Sequence, residues 1–208
     1  ILAAPLLFAA AACAPVEEET TANESPSPSA TGSEAPSEEP DPCAKENLAL
    51  KMPGRLMIGT DSPAYDPWFR KNDPTNGKGF ESAVAYAVAG QLGFTKDEVE
   101  WMKVPFGTSY KPGAKDFDFD INQISITPAR AKVVDFSDGY YQATQAVIAL
   151  NGTAGADATS LADLKGLRLG AQTGTTSLSA IREVIQPDSD PLVFEDTNAA
   201  KQAMINDQ

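Results

Sequence analysis

The sequence predicts an α/β protein built on a mainly parallel sheet. Between residues 54 and 207, short apolar segments with strand character alternate with segments that repeat apolar residues at helical spacing. This alternation is typical of parallel strands joined by helices, and ligands of such sheets bind beyond the carboxyl ends of the strands. The chain has 208 residues, 42% of them hydrophobic, which is enough for a core in one or two globular domains.

The first part of this region contains one predicted helix and four predicted strands. GRLMIGT (54–60) is a short apolar strand, and GFESAVAYAVAGQLG (79–93) has helical spacing and stops at a glycine. VEWMKV (99–104) predicts a second strand. FDFDI (117–121) alternates strictly, as a half-buried strand does, and QAVIAL (145–150) is continuously apolar, as a buried strand would be.

The second part repeats the same order after a polar, glycine-containing linker. SLADLKG (160–166) predicts a capped helix, LRLGAQ (167–172) a strand, and TTSLSAIREVI (175–185) a helix. LVFE (192–195) predicts a further strand and TNAAKQAMIND (197–207) a further helix.

Charge and composition argue against several classes of function. The net charge is −13, and eight acidic residues with no Lys or Arg lie in residues 1–44, so the remainder carries about −5. A nucleic-acid partner is not expected, because a phosphate-binding surface needs clustered basic residues. The chain contains no histidine, which removes the most common general base and the most common zinc ligand. We therefore expect neither a hydrolase nor a metal site, and no cofactor.

The amino-terminal segment ILAAPLLFAAAAC (1–13) has the apolar core of a secretion signal. It is too short to cross a bilayer core of about 30 Å as a stable helix. Three alanines precede Cys13, as in the bacterial lipobox, in which the cysteine thiol receives a lipid. We predict a lipid anchor at Cys13 and a location on the outer face of the cell membrane. A plain signal peptide with an incidental cysteine is the alternative.

Residues 14–43 are predicted to form a disordered, acidic tether. They consist mostly of Pro, Ser, Thr, Ala and Glu, with almost no large apolar side chain. Such a segment cannot bury enough surface to offset the cost of ordering, and it would hold a folded module away from a surface. Cys43 lies where the tether ends, and we expect it to form a disulfide with a cysteine beyond residue 208.

The segment ISITPAR (124–130) predicts an anion-binding turn at a strand end. Thr127 is a natural N-cap and Pro128 a natural first helical residue. Arg130 lies one turn further on, where its planar guanidinium and the hydroxyls of Ser125 and Thr127 could grip a carboxylate. On these residues alone, Arg130 could equally be solvated or paired with Asp135.

Four segments together resemble family 3 of the extracellular solute-binding proteins, the amino-acid receptors of bacterial ABC importers. They are GRLMIGTDSPAYDPWF (54–69), GKGFESAVAYAVAGQLG (77–93), FDFDINQISITPARAKVVDFSDGYY (117–141) and SLADLKGLRLGAQTGTTS (160–177). The resemblance implies a two-lobed periplasmic-binding-protein fold of type II, with lobes at 44–146 and 147–208. It also implies that the second lobe is incomplete at its carboxyl end, where related proteins continue into a strand that carries an acid for the ligand's α-amino group.

The same resemblance implies a monomeric receptor, not an enzyme, that binds a polar or charged amino acid between its lobes and delivers it to an ABC permease. It places Asp61, Tyr65, Trp68 and Phe106 around the ligand side chain, Gln123 and Ser125 at the strand end, Arg130 on the α-carboxylate, and Thr175 and Thr176 on the second lobe. The aromatic residues could instead pack in the core. The chain departs from the family pattern at Gln123, at Ala129 and in GTSYKPGAK (107–115).

Two alternative functions remain open from the sequence. One is an enzyme on the same fold, similar to a cyclohexadienyl or prephenate dehydratase, with Asp61 and Glu81 as candidate acid and base. The other is a sensor or adhesion module. The ligand also remains open, because Asp61 suits a cationic amino acid, whereas Gln123 and the hydroxyls suit glutamine or glutamate. The glycine-rich turn at 170–177 lacks the lysine of a phosphate-binding loop.

Overall fold

The computed structural model of the chain describes residues 41–208. The predicted signal segment with Cys13, and the predicted tether as far as residue 40, lie outside these residues. The strands are β1 (Leu56–Thr60), β2 (Val99–Lys103), β3 (Phe119–Asp120), β4 (Gly170–Gln172) and β5 (Leu192–Phe194); the helices are α1 (Phe80–Gln91), α2 (Phe106–Ser109), α3 (Thr176–Ala180) and α4 (Thr197–Ile205). A π-helical turn, Ile181–Ile185, extends α3.

The first sheet has the strand order β2-β1-β3, and all of its strands are parallel. In β1, Leu56 and Ile58 point to the same face because side chains alternate along a strand, and both are buried. They pack in one core with Ala85 and Ala89, which lie one turn apart on α1. Together with α2 and the segment that follows β3, this sheet forms the first lobe.

The second lobe contains the parallel pair β4-β5 with α3 and α4. Its small core is formed by Leu164, Leu178, Ile181 and Ile185, and the last three recur at helical spacing along α3 and its extension. Thr175 caps α3, because its hydroxyl accepts a hydrogen bond from the backbone N–H of Leu178. The predicted strands and helices of this lobe are confirmed, apart from the segment at 160–166.

Two sequence predictions of regular structure are wrong. Residues 145–150 form no strand, and Val147 and Ile148 are 52% and 67% exposed. A continuous apolar run becomes a buried strand only beside a partner strand, and no strand in residues 41–208 pairs with it. The predicted helix at 160–166 is a single 3₁₀ turn, Ala162–Leu164. The Asp163 carboxylate accepts the backbone N–H groups of Thr159 and Ser160, which caps the start of this turn.

Several predictions about chain organisation remain predictions. The proposed lobe boundary at residues 146 and 147 lies in a stretch without regular structure. Cys43 is exposed and forms no disulfide within the described part of the chain. None of the helices in residues 41–208 combines the length and the apolar character needed to cross a membrane.

Candidate functional site

The candidate site lies at the carboxyl ends of the parallel strands. Asp61 directly follows β1, residues 121–130 follow β3, and residues 173–175 join β4 to α3. Parallel strands end at the same edge of their sheet, so segments distant in sequence are brought together there. The two lobes meet at this edge, where a side chain of the first lobe contacts the backbone of the second.

Arg130 is the buried centre of this contact. It is only 7% exposed, and its backbone N–H donates to the Thr127 hydroxyl at 3.2 Å, which is the hydrogen bond expected of a cap at Thr127, although the 3₁₀ turn itself begins at Arg130. Its Nη1 donates to the carbonyl of Ser125 and its Nη2 to the carbonyl of Gly174, both at 2.8 Å. These bonds use two of the five N–H donors of a guanidinium, and the other three have no partner among residues 41–208. Arg130 is therefore neither solvated nor paired with Asp135.

Tyr110 completes the contact from the loop that departs from the family pattern. The Arg130 guanidinium carbon lies 4.3 Å from the centre of the Tyr110 ring, within the range of a cation–π interaction. The Tyr110 hydroxyl donates to the same Gly174 carbonyl at 2.6 Å. One carbonyl of the second lobe is thus bound by two side chains of the first.

The predicted residues of the second lobe occupy different roles. The Thr175 hydroxyl donates to the carbonyl of Gln172 at 2.7 Å and caps α3, so its hydrogen-bonding capacity is used within the lobe. The Thr176 hydroxyl accepts from the amide of Gln145 at 3.0 Å and lies 3.5 Å from the hydroxyl of Ser125. Thr176 and Ser125 therefore face each other across the two lobes.

The aromatic candidates separate into two environments. The Tyr65 hydroxyl accepts from the backbone N–H of Asn198 at the start of α4, at 3.2 Å, which is a second contact between lobes. Phe106 lies 5.6 Å from the guanidinium carbon of Arg130. Trp68 packs edge-on against Tyr141, with ring centres 4.8 Å apart. Tyr65 and Phe106 thus adjoin the contact between lobes, whereas Trp68 belongs to an aromatic cluster beside it.

Gln123 does not present its side chain to the cleft. Its backbone N–H donates to the Glu81 carboxylate at 2.7 Å, and its side-chain amide donates to the other oxygen of the same group. The Tyr140 hydroxyl also donates to Glu81, at 2.6 Å. Glu81 is fully buried, and burial raises its pKa. This network fixes Gln123, at a φ of +49°, as a structural residue of the strand end.

A second acidic residue adjoins Asp61 in the first lobe. Asp61 accepts the backbone N–H groups of Ser62 and Phe106, at 2.7 and 3.2 Å. Both carboxylate oxygens of Asp120, at the end of β3, are buried without a hydrogen-bond partner in the described residues. Burial, with the charges of Glu81 and Asp61, raises the pKa of Asp120 to about 8. This side of the site is therefore rich in carboxylates.

The fold and the contact between lobes define a periplasmic-binding-protein fold of type II. The chain belongs to family 3 of the bacterial extracellular solute-binding proteins, because the sequence model of that family matches residues 56–208. It is similar to the arginine-binding extracellular protein ArtP of Bacillus subtilis, with 34% identity over 136 residues that cover 64% of this chain and 50% of ArtP. It is also similar to the glutamine-binding protein of Geobacillus stearothermophilus, with 31% identity over 152 residues, 70% of this chain and 55% of that protein.

The solved structures lead to the same family. The crystal structure of the ancestral amino acid-binding protein AncCDT-1, a precursor of cyclohexadienyl dehydratase, matches with a TM-score of 0.62 and 31% identity, over 74% of this chain and 67% of that one. The chain spans about half the length of the curated relatives it matches.

Sequence reasoning missed Tyr110, Gln145 and Asp120. A tyrosine in an irregular loop gives no local signal of a contact with an arginine twenty residues later. Asp120 alternates with apolar residues in FDFDI, a pattern that favours solvent exposure of the acids, yet both of its carboxylate oxygens are buried. Asp118 and Asp120 are two positions apart and lie on the same face of a strand, so the sequence alone does not distinguish the acid whose carboxylate is buried from the other.

Proposed function

We propose that the chain is the ligand-binding part of an extracytoplasmic receptor that binds an amino acid between its lobes and delivers it to an ABC importer. Arg130 is the observation that supports this most directly. A buried guanidinium with three N–H donors free of protein partners in the described region is suited to a carboxylate, which accepts two parallel hydrogen bonds from it. The names of ArtP, of the glutamine-binding protein and of AncCDT-1 agree with an amino-acid ligand.

Closure of the lobes follows from the position of Arg130. It belongs to the first lobe, yet one of its hydrogen bonds ends on Gly174 of the second. A carboxylate bound beside it would contact both lobes, with Ser125 and Thr176 facing each other at 3.5 Å. Such a ligand would favour the closed state by its additional contacts there. In the proposed role, the permease would recognise this closed state.

The side-chain end of the pocket favours a cationic amino acid. Gln123, which could have selected glutamine, donates its amide to Glu81 instead. Asp61 supplies a carboxylate, and the buried Asp120, whose pKa is raised to about 8, would ionise more readily beside a cation. A cationic side chain would therefore be favoured by Asp61 directly and by a lowered pKa of Asp120. The name of ArtP agrees with arginine as one such ligand.

The position of Glu81 argues against the enzyme alternative. Glu81 was one of two candidate groups for acid–base chemistry, and its carboxylate accepts three hydrogen bonds in a fully buried position. It therefore has no free path to a proton of the ligand. AncCDT-1 is itself described as an amino acid-binding protein, although it is a precursor of a dehydratase.

The remaining parts of the proposal concern the amino-terminal region and the assembly. We propose that Cys13 carries a lipid anchor, that the acidic segment up to residue 43 acts as a tether, and that the receptor is a monomer. Its partners would be the amino acid, the permease and the membrane, without nucleic acid. The composition of residues 1–43 supports the anchor and the tether.

A thermal-shift panel of the common amino acids on the full-length, unlipidated protein tests this function. We expect L-arginine or L-lysine to raise the melting temperature most, because a ligand that binds only the folded state stabilises it. If L-glutamine gave the largest shift, the cationic preference would be wrong and the receptor function would stand. If no amino acid shifted the melting temperature, the receptor function itself would be contradicted.

A further inference from the structure

We propose that Tyr110 is a positioning residue for the carboxylate clamp: its ring holds the Arg130 guanidinium in place, and its hydroxyl ties the first lobe to Gly174 of the second. The inference rests on the proposed receptor function, because Arg130 is the proposed clamp. It concerns a residue in the loop that departs from the family pattern, so the resemblance does not imply it.

The geometry around Arg130 assigns a role to the ring. Two hydrogen bonds, to the carbonyls of Ser125 and Gly174, fix two points of the guanidinium plane. The side chain of arginine is long, so these two hydrogen bonds and the covalent bond to Cδ still allow the plane to tilt. The face of the Tyr110 ring, 4.3 Å from the guanidinium carbon, restricts this tilt. Phe106 supports the ring edge-on from 5.9 Å, so Tyr110 is itself held in position.

The geometry around Gly174 assigns a role to the hydroxyl. The Gly174 carbonyl accepts from both Tyr110, at 2.6 Å, and Arg130, at 2.8 Å. A Cβ atom at position 174 would lie 2.4 Å from the Tyr110 hydroxyl oxygen, so this approach requires glycine. Closing the lobes therefore makes the hydroxyl contact and completes the orientation of Arg130 in one step. We call the Tyr110–Gly174–Arg130 contact the latch.

A positioning role predicts an effect on carboxylate recognition that a merely structural role would not produce. The readout is the ratio of dissociation constants for an amino acid and its α-carboxamide, measured by calorimetry on the full-length protein. L-arginine with L-argininamide is one pair, and L-glutamine with L-glutaminamide is the second. The acid and the amide differ only in the group that Arg130 would grip, so losses common to both ligands cancel in the ratio.

The ring and the hydroxyl are tested by separate variants. Tyr110→Leu removes both, and we expect it to lower the preference for the acid by about 2- to 30-fold, the range of a partly to fully desolvated cation–π contact. Tyr110→Phe keeps the ring, and we expect it to preserve the preference. It should weaken acid and amide equally, by about 2- to 12-fold, because it loses one hydrogen bond made when the lobes touch.

Tyr86 offers a matched control away from the cleft. It also has a cation near its ring, Lys96 at 5.2 Å, and its hydroxyl also donates to a carbonyl, that of Thr75 at 3.0 Å. Its hydroxyl also accepts from the Trp101 indole N–H at 3.1 Å, so Tyr86→Leu should lose at least as many contacts as Tyr110→Leu without changing the acid preference.

Two results would overturn the inference. An unchanged acid preference in folded Tyr110→Leu would remove the role of the ring, and unchanged affinities for both ligands in Tyr110→Phe would remove the role of the hydroxyl. The Phe variant keeps the shape of the loop, so it remains informative if the Leu variant does not fold. Wild-type protein that bound neither pair would instead contradict the proposed receptor function.

Discussion

Replacement of Asp120 by Asn should stabilise the ligand-free protein more at pH 8 than at pH 5. Both carboxylate oxygens of Asp120 are buried without a partner in the described residues, and the pKa is raised from 3.8 to about 8, mainly by burial and then by the charges of Glu81 and Asp61. Below pH 3.8 the group is protonated in the folded and unfolded states, so it adds no pH dependence there.

Between pH 3.8 and about 8, the unfolded chain releases the proton while the folded chain retains it. The unfolded state then binds fewer protons, so the free energy of unfolding falls as the pH rises, and the loss is complete above about 8. One pKa unit corresponds to about 1.4 kcal/mol, which sets an upper limit of about 6 kcal/mol. Local relaxation and the buried amide of Asn reduce the gain, and we expect about 1–3 kcal/mol at pH 8.

Urea denaturation of both proteins at pH 5 and pH 8 measures this difference. Asp163→Asn is the control, because the pKa of Asp163 is shifted in the opposite direction: the backbone N–H donors of Thr159 and Ser160 lower it. Asp163 is ionised in the folded and unfolded states at both pH values, so its replacement should lower stability equally at the two. An equal loss for Asp120→Asn at pH 5 and pH 8 would refute the reasoning, because it would mean that the folded protein holds Asp120 ionised.

Two further predictions concern the network at Glu81 and the latch. Tyr140→Phe removes one hydrogen bond to buried Glu81 and should lower the free energy of unfolding by about 1–3 kcal/mol in urea titrations. Tyr141→Phe should change it by less than about 0.5 kcal/mol, and equal effects would argue against the network. Gly174→Ala should weaken binding of L-arginine by about tenfold or more in calorimetry. A φ of +72° costs a residue other than glycine about 1–2 kcal/mol, and the new Cβ would clash with the Tyr110 hydroxyl. Gly54→Ala, with a φ of +76° and open space, bears only the strain, so an equal loss of affinity there would contradict the latch.

The parts of the fold that the sequence predicted are those with local causes. The cap of Thr127 on the turn of Arg130, and the cap of Thr175 on α3, each depend on a side chain that bonds a backbone N–H three residues later. Such a signal is complete within one short segment. The alternation of apolar residues in β1 likewise needs no information about distant residues to predict a strand.

The parts that the sequence could not predict depend on distant partners. Gln123 was expected in the cleft, but Glu81, forty-two residues earlier, binds both its backbone and its side chain. Tyr110 contacts Gly174, which lies sixty-four residues later in the sequence, and no local sequence pattern indicates this contact. Residues 145–150 are apolar enough for a buried strand, yet burial requires a neighbouring strand, which the run itself does not specify.

The measurement that tests the account most directly is the preference for an amino acid over its α-carboxamide in wild type and in Arg130→Ala, by calorimetry on the full-length protein. Removing a buried group that pairs with a carboxylate should weaken binding of the acid by about 2–5 kcal/mol, which is about 30-fold to several-thousand-fold. The amide should lose much less, so the acid preference of the wild type should largely disappear. Arg55→Ala removes an exposed arginine paired with Glu100, and it should leave affinity and preference unchanged. A folded Arg130→Ala protein that still preferred the acid as strongly as wild type would contradict the carboxylate clamp.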